Sequence, residues 1–196
     1  MKQDIGSPYE GGFYGGTIRH GTALLAVVWA PKAFGETQGP WLAKPADVPG
    51  ARSLVDSLAN TLALAEAGSP LATWALNLEI GGHDDWVLPS RDVLELAYRH
   101  LKPTTDDTGN WFRDGDNPSS VPPGYAYANG EPIVQTSVRA FQAGGPEAFE
   151  AGWYWSSSQY SGRFAWYQSF YDGDQNDNVK SFEARARAVR LIHLAA

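Results

Sequence analysis

Side chains able to do chemistry concentrate in a few short runs of this chain. The most suggestive is Asp172-Gly-Asp-Gln-Asn-Asp-Asn-Val-Lys-Ser-Phe-Glu183. Asp172, Asp174, Asn176 and Glu183 occupy positions one, three, five and twelve of a calcium loop of EF-hand type, and Val179 suits position eight. Position six needs glycine for a sharp turn and carries Asp177, and no helix is expected on either side. A polar hairpin turn is the better reading, and no metal or other cofactor is expected. His83-Asp84-Asp85 has the groups for metal binding or proton transfer, but they equally suit a turn before a helix. Ser156-Ser157-Ser158 has no paired histidine and is no nucleophile motif. The four histidines, at 20, 83, 100 and 193, fall on different predicted elements. No catalytic residue is expected.

Contact chemistry is the stronger signal. Between Trp153 and Ile192 the chain is dense in Tyr, Phe, Ser, Asp, Asn and Gly, the residue types of antibody contact loops. The net charge is −7 and the basic residues are scattered, which disfavours nucleic acid and anionic membrane surfaces. Cysteine is absent, excluding disulfides and thiolate chemistry. No secretory leader is seen at the start. The longest apolar run, residues 23–30, is too short to span a bilayer, so membrane insertion is not expected and location stays open.

The elements that must position this segment can be read from pattern. Phe13–Arg19 and Thr22–Ala30 form a β-hairpin around His20-Gly21, with the second arm apolar on both faces and hence central. Residues 31–50, rich in Pro and Gly, read as loop. A helix is predicted over 51–66 with Leu54, Leu58, Leu62 and Ala65 inward. Gly68 then suits its C-terminal cap, and Pro70 the first turn of a second helix through Leu78. Ser90 is the expected cap of a third helix through Leu101, with Leu94, Ala97, Tyr98 and Leu101 on one face. Residues 102–131 read as an ordered, loop-rich insertion. Residues 138–149 suit one or two helical turns, and from Trp153 onward the chain reads as β.

Strand alternation divides 166–171. Trp166, Gln168 and Phe170 share one face; Tyr167, Ser169 and Tyr171 share the other. Residues 172–178 read as a polar turn. In the closing strand Arg185 and Arg187 oppose Ala184, Ala186 and Ala188.

Three motifs together carry a resemblance. They are Tyr154-Trp-Ser-Ser-Ser-Gln-Tyr160 with Ala165-Trp166, Phe170, Gly173, Lys180 and Arg185-Ala-Arg-Ala-Val-Arg190; Gly81-Gly-His-Asp-Asp-Trp-Val-Leu-Pro-Ser-Arg91; and Gly11-Gly-Phe-Tyr-Gly-Gly16 through Ala30-Pro-Lys32. The chain resembles the Lcl C-terminal domain-like family of bacteria and phages, which includes variable proteins of diversity-generating retroelements. The resemblance implies an α+β, C-type lectin-like fold: two main helices flanking a small antiparallel sheet, with the last strands displaying the binding site. It also implies diversification of AAC codons to NNC, which encodes no Lys, Gln, Glu, Met or Trp. Gly162, Arg163, Phe164, Tyr167, Ser169, Tyr171, Asp172, Asp174, Asn176, Asp177, Asn178, Val179, Ser181 and Phe182 are all accessible to NNC. Trp166, Gln168, Gln175, Lys180 and Glu183 are not, and they lie between the candidates.

The expectation is one C-type lectin-like domain over 1–196, non-enzymatic, whose region 160–183 contacts a protein or cell-surface ligand, as in phage receptor binding, with homo-oligomerisation adding avidity. Tyr167, Tyr171, Phe164 and Phe182 are the expected aromatic anchors. A fixed-specificity adhesin or carbohydrate-binding module is the alternative, followed by an enzyme with a site in the 102–131 insertion.

Overall fold

A computed structural model describes residues 3–109, 114–130 and 132–194. Residues 110–113 and 131 of the expected insertion lie outside the described residues. The elements, in order, are β1 (Pro8–Tyr9), β2 (Gly12–His20), β3 (Ala23–Trp29), α1 (Lys32–Gly35), β4 (Glu36–Pro40), α2 (Ser57–Glu66), α3 (Pro70–Leu76), α4 (Arg91–Leu101), β5 (Ser120–Val121), β6 (Trp153–Gln159), β7 (Phe164–Ser169), β8 (Gln175–Val179), β9 (Glu183–Arg187) and β10 (Val189–His193). The class is α+β.

Two sheets replace the single small sheet that was expected. The first runs β1-β2-β3-β10, with β5 also on β2; the second runs β4-β9-β6-β7-β8. The second is not wholly antiparallel, since β6 and β9 pair in parallel. β3 is central, as its two apolar faces require. The Pro- and Gly-rich 31–50 stretch is not all loop. It holds α1 and β4, which pairs with β9 over Glu36–Pro40. Gly39 and Pro40 are tolerated there because β4 is an edge.

One core lies between the first sheet and α4, around Ile18, Val27, Trp29, Leu94, Tyr98, Phe149, Tyr154 and Phe170. The other lies between α2, α3 and the second sheet, around Trp41, Leu64, Leu71, Trp155, Ala165, Ala184 and Ala186. Burying a side chain such as Leu64 is worth about 1.5–3 kcal/mol. The small side chains of Ala184 and Ala186 let the helices approach β9.

Helix α2 starts six residues later than the sequence predicts and presents the opposite face. Leu54, Leu58 and Leu62 are exposed, while Ser57, Asn60, Thr61 and Leu64 point inward. The reason is the backbone beneath it. The Ser90 N–H donates to Ser57 Oγ at 2.8 Å, and the Leu88 N–H donates to Thr61 Oγ1 at 3.1 Å. The Asn60 amide bonds both backbone groups of Ser53. Buried N–H groups need acceptors, and a leucine face supplies none. The end of α2 follows the sequence signal. Gly68 has φ +83, with Ser69 N bonded to Leu64 O and Gly68 N to Ala65 O, the paired bonds of a Schellman cap.

Ser90 occupies the N-cap position of α4, but its hydroxyl makes no capping bond. The first N–H groups of α4 go elsewhere: Arg91 to Ser158 Oγ at 3.0 Å, Asp92 to the Leu54 carbonyl at 2.9 Å. Residues 138–149 hold one 3-10 turn, Arg139–Phe141. No helix among the described residues is long and apolar enough to cross a membrane.

Candidate functional site

β7 is held between β6 and β8. Trp155 pairs with Tyr167 and Trp153 with Ser169 across one side, and Tyr167 pairs with Asn176 across the other. Paired residues share a face, so Trp153, Tyr167, Asn176 and Asn178 stand together on the side that α2 and α3 cover only in part. Trp153 and Tyr167 are stacked with centroids 4.0 Å apart and planes at 16°, and Phe182 meets Tyr167 edge-on at 6.5 Å. Asn178 Nδ2 donates to the Tyr167 hydroxyl at 3.4 Å. Partial burial raises the pKa of that hydroxyl. The opposite face carries Phe164, Trp166, Gln168, Gln175, Asp177 and Val179 toward α4. There Arg91 lies over Trp166 at 5.1 Å, and Tyr160 packs against the same ring at 4.9 Å.

Three side chains between the candidates act as pegs. Gln168 donates to the Tyr127 hydroxyl at 3.2 Å and to the Gly173 carbonyl at 3.3 Å. Gln175 Oε1 accepts from Arg91 Nη2 and from the Gly115 N–H, each at 3.0 Å. Lys180 is wholly buried. Its ammonium donates to the carbonyls of Ala46 and Gly162 and to Gln159 Oε1, and sits 4.6 Å from the Trp41 ring. Burial pushes its pKa down to about 8. Phe170 is stacked on Phe149 at 4.3 Å.

The expected contact residues divide by exposure. Gly162, Arg163, Tyr171, Asn176, Ser181 and Phe182 are exposed, Tyr171 by 54 % and Phe182 by 43 %. Phe164, Tyr167, Asp172, Asp174, Asp177, Asn178 and Val179 are half-buried. Ser169 is the correction. It is 4 % exposed, and its Oγ accepts from the N–H groups of Tyr171 and Asp172. It fastens the turn and is not presented to a ligand. Two further corrections concern the backbone. β7 stops at Ser169, so Tyr171 lies in the following turn and does not extend the Tyr167 face. The expected polar turn 172–178 is half strand, since Gln175–Val179 form β8. That strand also precludes an EF-hand loop over 172–183.

The candidates therefore do not form one patch. Tyr167, Asn176, Asn178 and Phe182 come together on the open face. Phe164, Asp177 and Val179 lie on the other side of the same two strands, and Tyr171, Asp172 and Asp174 belong to the connecting turn. Arg163 meets Lys180 through the Lys180 N–H at the far end. Trp153 is the contact-type residue that sequence reasoning missed. Its signal was available: it has the same parity as Trp155, two residues beyond where the helices cover the sheet.

The insertion braces the turn. The Gly109 N–H donates to the Asp172 carbonyl at 2.7 Å, and Asp114 Oδ1 accepts from the Gln175 N–H at 3.2 Å. Burial, with Asp174 and Asp172 nearby, raises Asp114 to about 6. Gly173, at φ +84, lies where a Cβ would come within 2.5 Å of Tyr98, so the close approach of turn and helix requires glycine.

The remaining chemical candidates are structural. Asp85 is bound by the Arg190 guanidinium, and the His83 carbonyl accepts from Trp86 Nε1 at 3.0 Å. Ser158 Oγ donates to the Ser53 carbonyl at 2.7 Å. Among the described residues no group of three or more His, Cys, Asp or Glu is placed to hold a metal ion. No protein-family model matches the chain, and no curated protein matches it.

Proposed function

We propose that this chain is a non-enzymatic binding protein with a C-type lectin-like fold, whose β7–β8 region is a diversified contact surface for a protein or cell-surface ligand. The observation that carries the reading is the alternation of burial along 167–182. Gln168, Gln175 and Lys180 are buried pegs, while Tyr171, Asn176 and Phe182 are exposed and Tyr167 and Asn178 half-buried around them. Such a surface tolerates changes of identity because its shape is fixed by residues that do not touch the ligand. Support for the fold reading comes from β10 closing the same sheet as β2 and β3, and from α2 and α4 flanking the strands. Carriage on a virion or cell surface for receptor recognition is the role such a face suits.

Two display libraries test this without a known ligand. Randomising Tyr167, Tyr171, Asn176, Asn178 and Phe182 should leave most members folded, judged by surface expression and protease resistance. Randomising Gln168, Gln175 and Lys180 should leave few. Equal survival of the two libraries would overturn the reading. Sequencing the gene in sibling isolates should also show changes confined to the first set, and an invariant segment would favour a fixed-specificity adhesin.

A further inference from the structure

At the edge of the second sheet opposite β8, β4 lies beside β9 with Glu36 opposite Arg187 and Gln38 opposite Arg185. Paired residues share a face, so these four side chains stand together. Tyr154, opposite Arg185 in the neighbouring β6, donates its hydroxyl to Glu36 Oε1 at 3.1 Å. Lys32, four residues before Glu36, joins them. With Glu36, Gln38 and Arg185 it lines an open cavity of about 480 Å³.

Three cations lie around Glu36: Lys32, Arg185 and Arg187. Two are engaged elsewhere. Lys32 Nζ donates to the Ala148 carbonyl and to Glu150 Oε1. The Arg187 guanidinium donates to the carbonyls of Ala30 and Glu147 and to Glu147 Oε2. Arg185 differs. Its side chain is 40 % exposed, and its one ion pair among the described residues reaches Glu36 Oε1 at 3.8 Å, beyond hydrogen-bond range.

Glu36 has the complementary deficit. Its side chain is 8 % exposed, and Oε2 is buried with no hydrogen-bond partner among the described residues. A buried polar atom without a partner is rare and costly. Burial raises the pKa of Glu36 despite the cations nearby, so they do not replace the water removed in folding. A donor brought to Oε2 meets an oxygen already desolvated and forms a charge-assisted bond. Arg185, fixed only by its long contact, can turn to admit that donor.

The unmet chemistry is thus one carboxylate beside one guanidinium. A lone anion would face Glu36, and a lone cation would face Arg185. A ligand that carries an ammonium and a carboxylate close together satisfies both, and in an α-amino acid a single carbon joins them. Sugar hydroxyls also donate and accept, but no aromatic ring lines the cavity for a sugar to stack on.

We propose that this cavity binds a free α-amino acid, its ammonium on Glu36 and its carboxylate on Arg185. The site is separate from the β7–β8 face and stands or falls independently of it.

The test is a thermal-shift screen of the full chain with the standard L-amino acids, beside acetate, ethylamine and common monosaccharides. At about 10 mM, at least one amino acid should raise the melting temperature by a few degrees. Acetate and ethylamine, with one charge each, should leave it unmoved. Titration calorimetry with that amino acid should show about tenfold weaker binding in Glu36→Gln and in Arg185→Gln, and a several-fold loss in Arg185→Lys. The first change is near-isosteric and the others fall on a partly exposed side chain; circular dichroism confirms folding. No shift from any amino acid would overturn the proposal, and so would binding that Glu36→Gln and Arg185→Gln both retain. An effect of acetate or of a monosaccharide that needs Glu36 or Arg185 would also overturn it, in favour of a simple anion site or a sugar site.

Discussion

Helix α4 and the β7–β8 face are both crowded with polar side chains, and they treat them in opposite ways. On α4 the polar groups are internal and partnered. Glu95 is fully buried, accepting from Asn117 Nδ2 at 2.7 Å and the Tyr127 hydroxyl at 3.0 Å, with Arg99 at 2.9 Å. Arg91 bridges Asp92 and Gln175. On β8, apart from the Gln175 peg, Asn176 and Asn178 bond only to their own strand, the adjoining turn or Tyr167, and the half-buried Asp177 carboxylate pairs with no cation among the described residues. A buried charge needs a partner inside the protein, whereas an exposed one leaves its partner to be supplied. The first pattern fixes shape; the second leaves affinity open. The insertion joins them, because Gly115 and Tyr127 bond both to α4 and to the hairpin pegs, and Asp114 holds the Gln175 N–H.

The comparison breaks most visibly at Glu95. Glu95→Ala removes one partner of a buried pair and takes the carboxylate acceptor from Arg99, Asn117 and Tyr127, at an expected cost of about 3–5 kcal/mol. Asp177→Asn on the open strand should change stability by less than about 0.5 kcal/mol. Urea unfolding of the two variants measures the contrast, and comparable losses would mean the regions are not distinct. Lys180→Met is next. It leaves the Ala46 and Gly162 carbonyls without their donor, with Gln159 Oε1 keeping only the Val48 N–H, and should cost about 2–3 kcal/mol in the same assay, even though Lys180 lies within the segment expected to vary.

Asp114 tests the joint by pH. Its folded pKa is raised from 3.8 to about 6. The folded state therefore holds the proton more tightly, and the stability this contributes is fully present below 3.8 and is lost as pH rises through 6. Burial shifts Asp92, Glu95 and Glu36 in the same direction. The melting temperature should rise as pH falls from 7.5 to 5, and Asp114→Asn should flatten a few degrees of that rise while retaining the acceptor for Gln175 N–H. An unchanged pH profile in the variant would show that Asp114 titrates normally.

The sequence was legible where local chemistry dictates structure. The Schellman end of α2, Pro70 opening α3, the β2–β3 hairpin and the apolar stripe of α4 all depend on residues close in the chain. It misled where a distant backbone set the requirement. The leucines of α2 are outward because residues 88–90 and Ser53 need hydroxyl and amide partners, which no helical periodicity encodes. β8, Gln175-Asn-Asp-Asn-Val179, has little intrinsic β preference; its pairing with β7 imposes the extended form. The same long-range effect buries Ser169 and leaves Trp153 half-buried at the rim of the second core. The buried glutamines and Lys180 fell among the residues set apart by codon type, and side-chain identity alone gave no sign of how deeply they are held.

The smallest stability effect sharpens the contrast most. Asn176→Ala together with Asn178→Ala removes one exposed and one half-buried side chain and should shift the unfolding free energy by about 0.5 kcal/mol or less. The same change uncovers the outward N–H groups of Asp177 and Val179, which the two amides now occupy. The edge would then offer alternating donors and acceptors, the pattern an incoming strand pairs with. Light scattering at matched concentration should therefore report larger species in the double variant than in wild type, with the melting temperature almost unmoved. An unchanged size distribution would mean that twist or neighbouring side chains already guard β8. The asparagines would then serve the face only through what they present outward, and not by closing the strand they sit on.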